Sequence, residues 1–594
     1  MMNKIKNKSK TGGHFLVEPI SMANVYSRED FSEEHNDIYK LVMEFDREKI
    51  LAQKEGIEDY NPNLVKSLIK EMGTLGLLGI DVPEIYGGIN LDKITTIIVA
   101  EALVQSPSFA VTWSVQTGIG SLPIVWFGTE EQKQKYLPKI VTGEILCAYG
   151  LTEPSAGSDA THGKTSAVLS KDGEHYILNG EKIFISNGKW SDIYTVFAQF
   201  EGDKFSAFIV ERGTEGFSVG EEEKKLGMKG SSTTALIFED AKIPVKNLLF
   251  KVGEGANIAF NCLNIGRLKL GASTLGGSKM VINGVTPYAK ERRAFGQPIS
   301  KLDAITKKIA DMTIRTYVTD SMLYRTVGLI QSEIDLLDEK DDNYYIQMGE
   351  AMEKFAIETS MAKVYGSDTS HNVIDEGLQI LGGYGFLEEY PLAGAYRDDR
   401  INQIWEGTNE VNRQIIAGFM IKKALMEELP IREAILEIDA FMSSGKLELD
   451  NQILSTECQI IEIAKRFVLF IFNEALCKYG QDLKHEQQLT EIFADSFMDI
   501  YAAESTVVRA CKIMDSNSPE PTVVDIAKTF TSEMANRLIS QLHTAKNAIN
   551  EGEQSPHIDQ KVNEFESRIR LSTNVIRLKR NIANYVYKNN KYPY

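Results

Sequence analysis

Residues 165–200 read TSAVLSKDGEHYILNGEKIFISNGKWSDIYTVFAQF. In the pieces TSAVLS, HYILNG, KIFIS and IYTVFAQF, apolar and polar residues change places at short range, the period of a strand with one buried face. Between them stand Asp172-Gly173, Asn179-Gly180 and Asn187-Gly188, pairs that accept the positive φ angles of tight hairpins. The strand-like pattern runs from about Ala148 to Phe250 and predicts a β domain there.

On both sides the period lengthens. Ile38, Leu41, Val42 and Phe45 recur at helical spacing, and LDKITTIIVAEALVQ (91–105) continues the pattern. After Gly253 the helical period returns and persists almost to the end, with Pro430 near a further boundary. A chain of 594 residues exceeds what one core usually supports. The expected fold is α+β. An N-terminal tail (1–29) precedes an N-terminal α-helical domain (30–147), a central β domain (148–250), a second α-helical bundle (251–430) and an extra C-terminal α-helical domain (431–594).

With 43% hydrophobic and 25% charged residues, the composition is that of a soluble globular protein. The net charge of −18 argues against nucleic acid as the main partner, because phosphate binding needs a basic surface. Cys147, Cys262, Cys458, Cys477 and Cys511 are far apart and form no CxxC pair, so neither a zinc site nor a disulfide framework is indicated and a reducing compartment fits. The N-terminus lacks the apolar stretch of a secretion signal and the Arg- and Ser-rich pattern of a transit peptide. FVLFIF (467–472) is too short to span a bilayer. The chain reads as cytoplasmic. The acidic run Ser332–Asp342 reads as a solvated helix end and loop, without EF-hand spacing.

Several routes to chemistry are absent: no Walker A loop, no GxGxxG opening a βαβ unit, no GxSxG elbow and no HExxH. Four stretches concentrate chemistry instead. In AYGLTEPSAGSDATHGKTSA (148–167), Thr152 and Ser158 put short hydroxyls on a Gly- and Ala-rich segment, suited to a polar heterocycle or a carbonyl and equally to a capped turn. In KIFISNGKWSD (182–192), alternation along a strand points Phe184 and Ser186 to the same side, to flank a ring system or to pack on the core. The third stretch is YAKERRAFGQPI (288–299). The fourth, QILGGYGFLEEYPLAGAYRDDRINQIWEGTNE (379–410), sets a lone carboxylate, Glu406, between Ile404-Trp405 and Gly407. A base fits that setting, and so does a buried structural carboxylate paired with Arg397 or Arg400.

LTEPSAGSD (151–159), SNG (186–188), RRAFGQPI (292–299), QILGGYGF (379–386) and IWEGTNE (404–410) together resemble, in order and approximate spacing, the acyl-CoA dehydrogenases, flavoproteins that desaturate acyl-CoA thioesters. The resemblance covers about residues 30–430. The helical extension beyond it, with GEKIFISNGKWSDIYTVFAQ (180–199) and EKKLGMKGSSTT (223–234), looks like the very-long-chain branch.

This resemblance implies a helical, β, helical domain order, FAD between the β domain and the second helical domain, and a homodimer or larger homo-oligomer whose neighbouring subunit completes the FAD site. Tyr149, Leu151, Thr152 and Ser158 match positions that contact flavin and thioester. Phe184 and Ser186, where the family often has Trp and Thr, match positions flanking the isoalloxazine ring. Arg292 and Phe295 match residues that hold adenine and pyrophosphate, Gln379, Gly382 and Gly383 contact the cofactor across the dimer interface, and Thr408 and Glu410 follow in the cofactor-contacting run. Ser158, Arg267 and Gly407 are the implied substrate contacts. Gly118 and Gly120 either lengthen the acyl tunnel or mark ordinary helix irregularities.

Removing a proton next to a thioester carbonyl needs a base at hand and donors waiting for the oxyanion. Glu406 matches the family's base, which takes the α-proton while a hydride leaves the β-carbon for flavin N5. In the family the thioester oxygen is held by that glutamate's own N–H and a ribityl hydroxyl. Some branches place the base directly before an arginine that here matches Arg267; that residue is Gly266, which leaves Glu406. Nitroalkane oxidases of the same fold carry aspartate at the main position. Ile404, Trp405 and an apolar acyl chain would raise the pKa of Glu406 above its reference of ~4.3.

The implied activity is dehydrogenation of medium- to very-long-chain acyl-CoA to 2-trans-enoyl-CoA in fatty-acid β-oxidation, with electrons passing to an electron-transfer flavoprotein and no metal. An acyl-CoA oxidase using O2 and a non-catalytic assembly factor of this fold are the other readings. After Glu566 come Arg568, Arg570, Arg577, Lys579, Arg580, Lys588 and Lys591 with no acidic residue, which suits peripheral membrane contact, a solvated helix face or a dimer contact.

Overall fold

The computed structural model describes residues 10–23, 25–444 and 453–594. Its N-terminal helices begin where the sequence supplies acceptors for their first free N–H groups. Asn61 and Ser106 cap helices that open with Pro62 and Pro107, Asp92 caps Lys93–Ala102, and Thr129 forms a capping box with Gln132 for Glu130–Val141. Lys93–Ala102 is buried on every side, between Glu33–Phe45 and the long helix Gly255–Glu291.

The β region forms one sheet from β1 (Cys147–Gly150), β2 (Ser166–Leu169), β3 (His175–Ser186), β4 (Ile193–Phe200), β5 (Lys204–Glu211), β6 (Phe217–Glu222), β7 (Thr233–Pro244) and β8 (Leu248–Leu249). Their order is β6-β7-β3-β2-β4-β5-β8, with β1 also paired to β4. Asp172-Gly173 makes the predicted hairpin, with Gly173 at φ 74°.

The other two pairs differ from the expectation. Asn179-Gly180 lies inside β3, where Gly180 takes φ 145° at a register shift against β7, so the pair makes a bulge rather than a turn. Asn187-Gly188 ends β3, but β2 lies between β3 and the next strand, β4. The Asn187 amide donates to the carbonyls of Thr112 (3.1 Å) and Cys147 (3.4 Å), tying the sheet to the helix Pro107–Gln116. A second register shift lies between Lys182 and Ile185, and within it Phe184 takes φ 58°.

Beyond the sheet, Gly255–Glu291, Asp303–Ile334, Ala356–Leu381 and Asn409–Leu425 pack side by side. Gly366 lets two of them meet closely: a Cβ there would lie 2.8 Å from Thr274 Oγ1 and 3.2 Å from Gly271 Cα. The C-terminal helices Ser455–Tyr479, Gln487–Met514, Thr522–Ile549, Pro556–Ile569 and Val575–Asn589 share one apolar core with this bundle, and Phe467–Phe472 is buried within it. Buried charges at the junction are paired, as desolvation requires: Glu504 accepts from Arg325 at 2.6 Å and forms an ion pair with Lys465 at 2.6 Å, and Arg509 meets Glu29 at 2.8 Å. Among the described residues, no helix is long and apolar enough to cross a membrane.

Candidate active site

Glu406 lies in the bend between Arg400–Gln403 and Asn409–Leu425, whose N-cap hydroxyl, on Thr408, accepts from the Val411 N–H at 3.2 Å. Glu406 and Gly407 both have positive φ, 57° and 80°. For a glutamate that conformation costs roughly 1–3 kcal/mol, and it persists only where the surroundings enforce it. Asn412 Nδ2 donates to the carbonyls of Glu406 (3.2 Å), Gly407 (2.8 Å) and Thr408 (3.1 Å). Lys363 Nζ adds a bond to Gly407 O at 2.8 Å and Arg267 Nε one to Glu406 O at 3.3 Å. Among the described residues, no acceptor pairs with the Glu406 N–H.

The Glu406 carboxyl sits directly against Gly266. Its Oε2 is buried with no hydrogen-bond partner, while the residue keeps some exposure toward a cavity. Burial pushes the carboxyl pKa up to about 7, opposed by Arg267, Lys363 and Lys269. Burial also brings Arg267 down to about 10 and both lysines down to about 8. Arg267 donates to Asn264 Oδ1 at 2.8 Å, and Lys269 to Thr117 O and Oγ1 at 2.9 and 2.8 Å. A carboxyl titrating near neutrality is matched to accepting a proton from a weakly acidic carbon. Neither arginine weighed from the sequence pairs with it: Arg397 binds Glu388 at 2.8 Å, and Arg400 is exposed.

The cavity beside Glu406 encloses about 1080 Å³ of empty space, its mouth included. Gly266, Leu270, Ser273, Gly277 and Val281 form one wall, a single stripe of Gly255–Glu291 that runs about 22 Å along the helix. Pro107, Ala110, Val111, Ser114 and Val115 of the helix Pro107–Gln116 also line it, with Trp405 and Ser186. Gly118 and Gly120 are not among the lining residues. A Cβ at Gly120 would lie 2.7 Å from Cys147 Cβ and one at Gly118 2.6 Å from Ser114 O, so these glycines serve close packing and not tunnel length.

The remaining predicted residues fall into two groups. Near the head of the sheet, Tyr149 is buried with its hydroxyl donating to Ala259 O at 3.4 Å, and the carbonyls of Leu151 and Thr152 accept from Lys182 Nζ (3.2 Å) and Ile183 N (2.9 Å). Ser158 and Glu410 are exposed, and Phe184 stands 62% exposed. The second group, Arg292, Phe295, Gln379, Gly382 and Gly383, gathers at the other end of Gly255–Glu291, about 39 Å along the helix from Gly266. All five are exposed. The Arg292 guanidinium lies 5.7 Å from the Tyr384 ring centre. Phe295-Gly296 forms the corner of a hairpin between Arg293–Ala294 and Gln297–Pro298, both residues at positive φ, and the Phe295 ring stands 90% exposed; Phe386 is bare as well.

Fold and site together define a class: a sheet between two helical layers, with a near-neutral carboxyl at the head of a long apolar cavity. Models of the acyl-CoA dehydrogenase N-terminal, middle and C-terminal domains match residues 32–144, 148–241 and 253–421, and a further acyl-CoA dehydrogenase C-terminal domain model matches 463–558. A probable acyl-CoA dehydrogenase of Bacillus subtilis is 41% identical over 585 residues, 98% of each chain. A rat very long-chain specific acyl-CoA dehydrogenase is 33% identical over 497 residues, 79% of this chain and 72% of that protein. The crystal structure of a Bacillus anthracis acyl-CoA dehydrogenase complexed with FAD superposes with a TM-score of 0.95 at 40% identity, covering 98% of this chain and all of that one. The chain belongs to the acyl-CoA dehydrogenase family.

Sequence reasoning missed Lys363, Lys269 and Asn412. The one signal for Lys363 was a lysine amid small and apolar residues in SMAKVYGS (360–367), on a helix whose neighbouring positions are buried.

Proposed function

We propose that this chain catalyses FAD-dependent α,β-dehydrogenation of medium- to very-long-chain acyl-CoA, with Glu406 as the base and an electron-transfer flavoprotein as acceptor. The observation that carries the reading is the Glu406 carboxyl, held near neutrality at the head of the cavity beside its own unpaired N–H. That N–H is placed to donate to a thioester oxygen and so acidify the adjacent carbon, from which the carboxylate takes the α-proton. Arg267, by holding the Glu406 carbonyl, fixes the peptide on the C-terminal side of the base, and the apolar walls exclude water. Ser158 and Gly407 are the further substrate contacts in this reading.

Bound FAD supplies two-electron acceptance from the β-carbon. The residues fit such a group: Phe184 and Phe295 offer bare aromatic faces, Arg292 an exposed guanidinium, and a Cβ at Gly157, Gly382 or Gly383 would meet only open space. Tyr149, Leu151, Thr152, Ser158, Phe184, Ser186, Thr408 and Glu410 would hold it from one subunit, and Arg292, Phe295, Gln379, Gly382 and Gly383 from another. Arg292 stands about 39 Å along the helix from Gly266, against which Glu406 sits, and this supports a homodimer or larger homo-oligomer in which the two groups come from different subunits. A long acyl chain is supported by the length of the cavity wall. Lys579 and Arg580 are engaged by Asp311, Glu533 and Asp303, which leaves the exposed Arg577, Lys588 and Lys591 as the cations with which the C-terminal region would touch a membrane surface.

The test is anaerobic addition of palmitoyl-CoA to the purified holoenzyme while the flavin absorbance is followed. Bleaching is expected, and Glu406→Gln should keep FAD and ligand binding but slow it at least ~10²-fold. A Gln variant within a few-fold of wild type would disprove the assignment. Rapid reoxidation of the reduced flavin in air would replace the flavoprotein acceptor with oxygen.

A further inference from the structure

A cation stands behind the turn that carries Glu406. Lys363, in the middle of Ala356–Leu381, is fully buried, and its Nζ donates to Gly407 O at 2.8 Å and to Asn409 Oδ1 at 2.7 Å. Asn409 is fixed in turn, its amide donating to Ser367 Oγ at 3.0 Å and Asp368 Oδ1 at 2.8 Å. Removing an ammonium from water costs several kcal/mol unless a counter-charge compensates it, and lysine is almost never fully buried without one. Among the described residues, no carboxylate lies within ion-pair distance of Lys363. The negative charges that act on it at longer range are Glu406, Asp368 and Glu410. A lysine kept here for packing alone would be better replaced by methionine.

We propose that Lys363 is a positioning residue for Glu406: its ammonium anchors the Gly407 carbonyl, fixes the left-handed turn that aims the base, and supplies positive charge that favours the carboxylate over the acid. This rests on Glu406 being the base. Glu406 is faced by Arg267, Lys269 and Cys262 from Gly255–Glu291, by Lys363 from Ala356–Leu381 and by Tyr149 from β1. Arg267 is tied to Asn264 and to the Glu406 carbonyl, and Lys269 to Thr117. Of the three cations, Lys363 alone bonds to the residue that follows the base.

The experiment compares wild-type and Lys363→Met holoenzymes by anaerobic stopped-flow reduction with palmitoyl-CoA across the neutral pH range. Loss of the cation should move the pH midpoint of reduction up by about one unit and slow the rate at neutral pH about tenfold. FAD content and palmitoyl-CoA affinity should stay at wild-type values. An unmoved midpoint with a rate within about twofold of wild type would overturn the proposal. Should the Met variant lose flavin, Lys363→Gln, a shorter uncharged donor, carries the same comparison with the same outcomes. A Glu406→Gln control that still bleached would overturn the base assignment instead, and so separates the two failures.

Discussion

The carboxylate of Glu406 occupies the space that a side chain at Gly266 would fill: a Cβ at 266 would lie 2.6 Å from Oε2 and 2.9 Å from Oε1. Position 266 stands directly before Arg267, and its glycine is what leaves room for the Glu406 carboxyl, which reaches it from the bend before Asn409–Leu425. Gly266→Ala should therefore displace Glu406 by about an ångström, and misplacement of that size costs up to ~10²-fold in rate. The rate constant for flavin reduction, with FAD content unchanged, checks this.

Glu406 titrates at about 7 because it is buried, and it is a base only when ionised. The reduction rate of the ligand-limited enzyme should rise with pH and reach half its maximum near neutrality, a limb that Glu406→Gln removes. Its effect on stability has the opposite sign. The folded-state value lies above the unfolded one, so the folded chain binds this proton more tightly. The contribution of Glu406 to stability then falls as pH rises from about 4.5 to about 7 and is constant outside that window. Denaturant titrations of wild type and Glu406→Gln across that window would reveal the difference.

Gly277 lines the cavity 11 residues beyond Gly266, about 16 Å along the helix, and a Cβ there would meet nothing within 4 Å. Gly277→Phe should fold and close the far half of the cavity. Palmitoyl-CoA turnover should drop at least ~10-fold while butyryl-CoA turnover stays near wild type. Comparing kcat/KM for the two substrates tests whether this cavity holds the acyl chain.

Asp320 joins the N-terminal segment, both long helices and the C-terminal bundle through Arg28 (3.0 Å), Lys279 (2.6 Å) and Arg509 (3.7 Å). These cations overcome burial and hold its carboxyl well below the usual aspartate range. Its stabilising contribution is present above the unfolded value and is lost only in strong acid. Asp320→Ala leaves the buried Arg509 and the half-buried Arg28 and Lys279 with one carboxylate fewer and should cost about 3–5 kcal/mol. Thermal unfolding of the holoenzyme, with the Tm markedly lowered, is the check.

Much of this protein was legible in local sequence. The helical, β, helical order follows from the change in hydrophobic period, because periodicity records which face of an element is buried. Asp172-Gly173 was readable as a hairpin because a two-residue turn depends on its own φ angles. Asn179-Gly180 carries the same local signal and makes a bulge instead, since pairing with β7 on one side and β2 on the other keeps β3 continuous across it. The register shift around Phe184 was equally hidden, because a shift against β7 is a property of the pair of strands and not of either one.

The sequence by itself determined the order of the layers and singled out Glu406, because both are written in short runs of adjacent residues. Only the tertiary structure decided that Gly266 yields its space to that carboxyl and that Lys363 and Asn412 hold the turn beneath it. It also decided that Arg292 lies about 39 Å along the helix from Gly266. Periodicity specifies that a face is buried, whereas the partner it meets depends on long-range packing, and the pKa of Glu406 depends on what that packing removes from water.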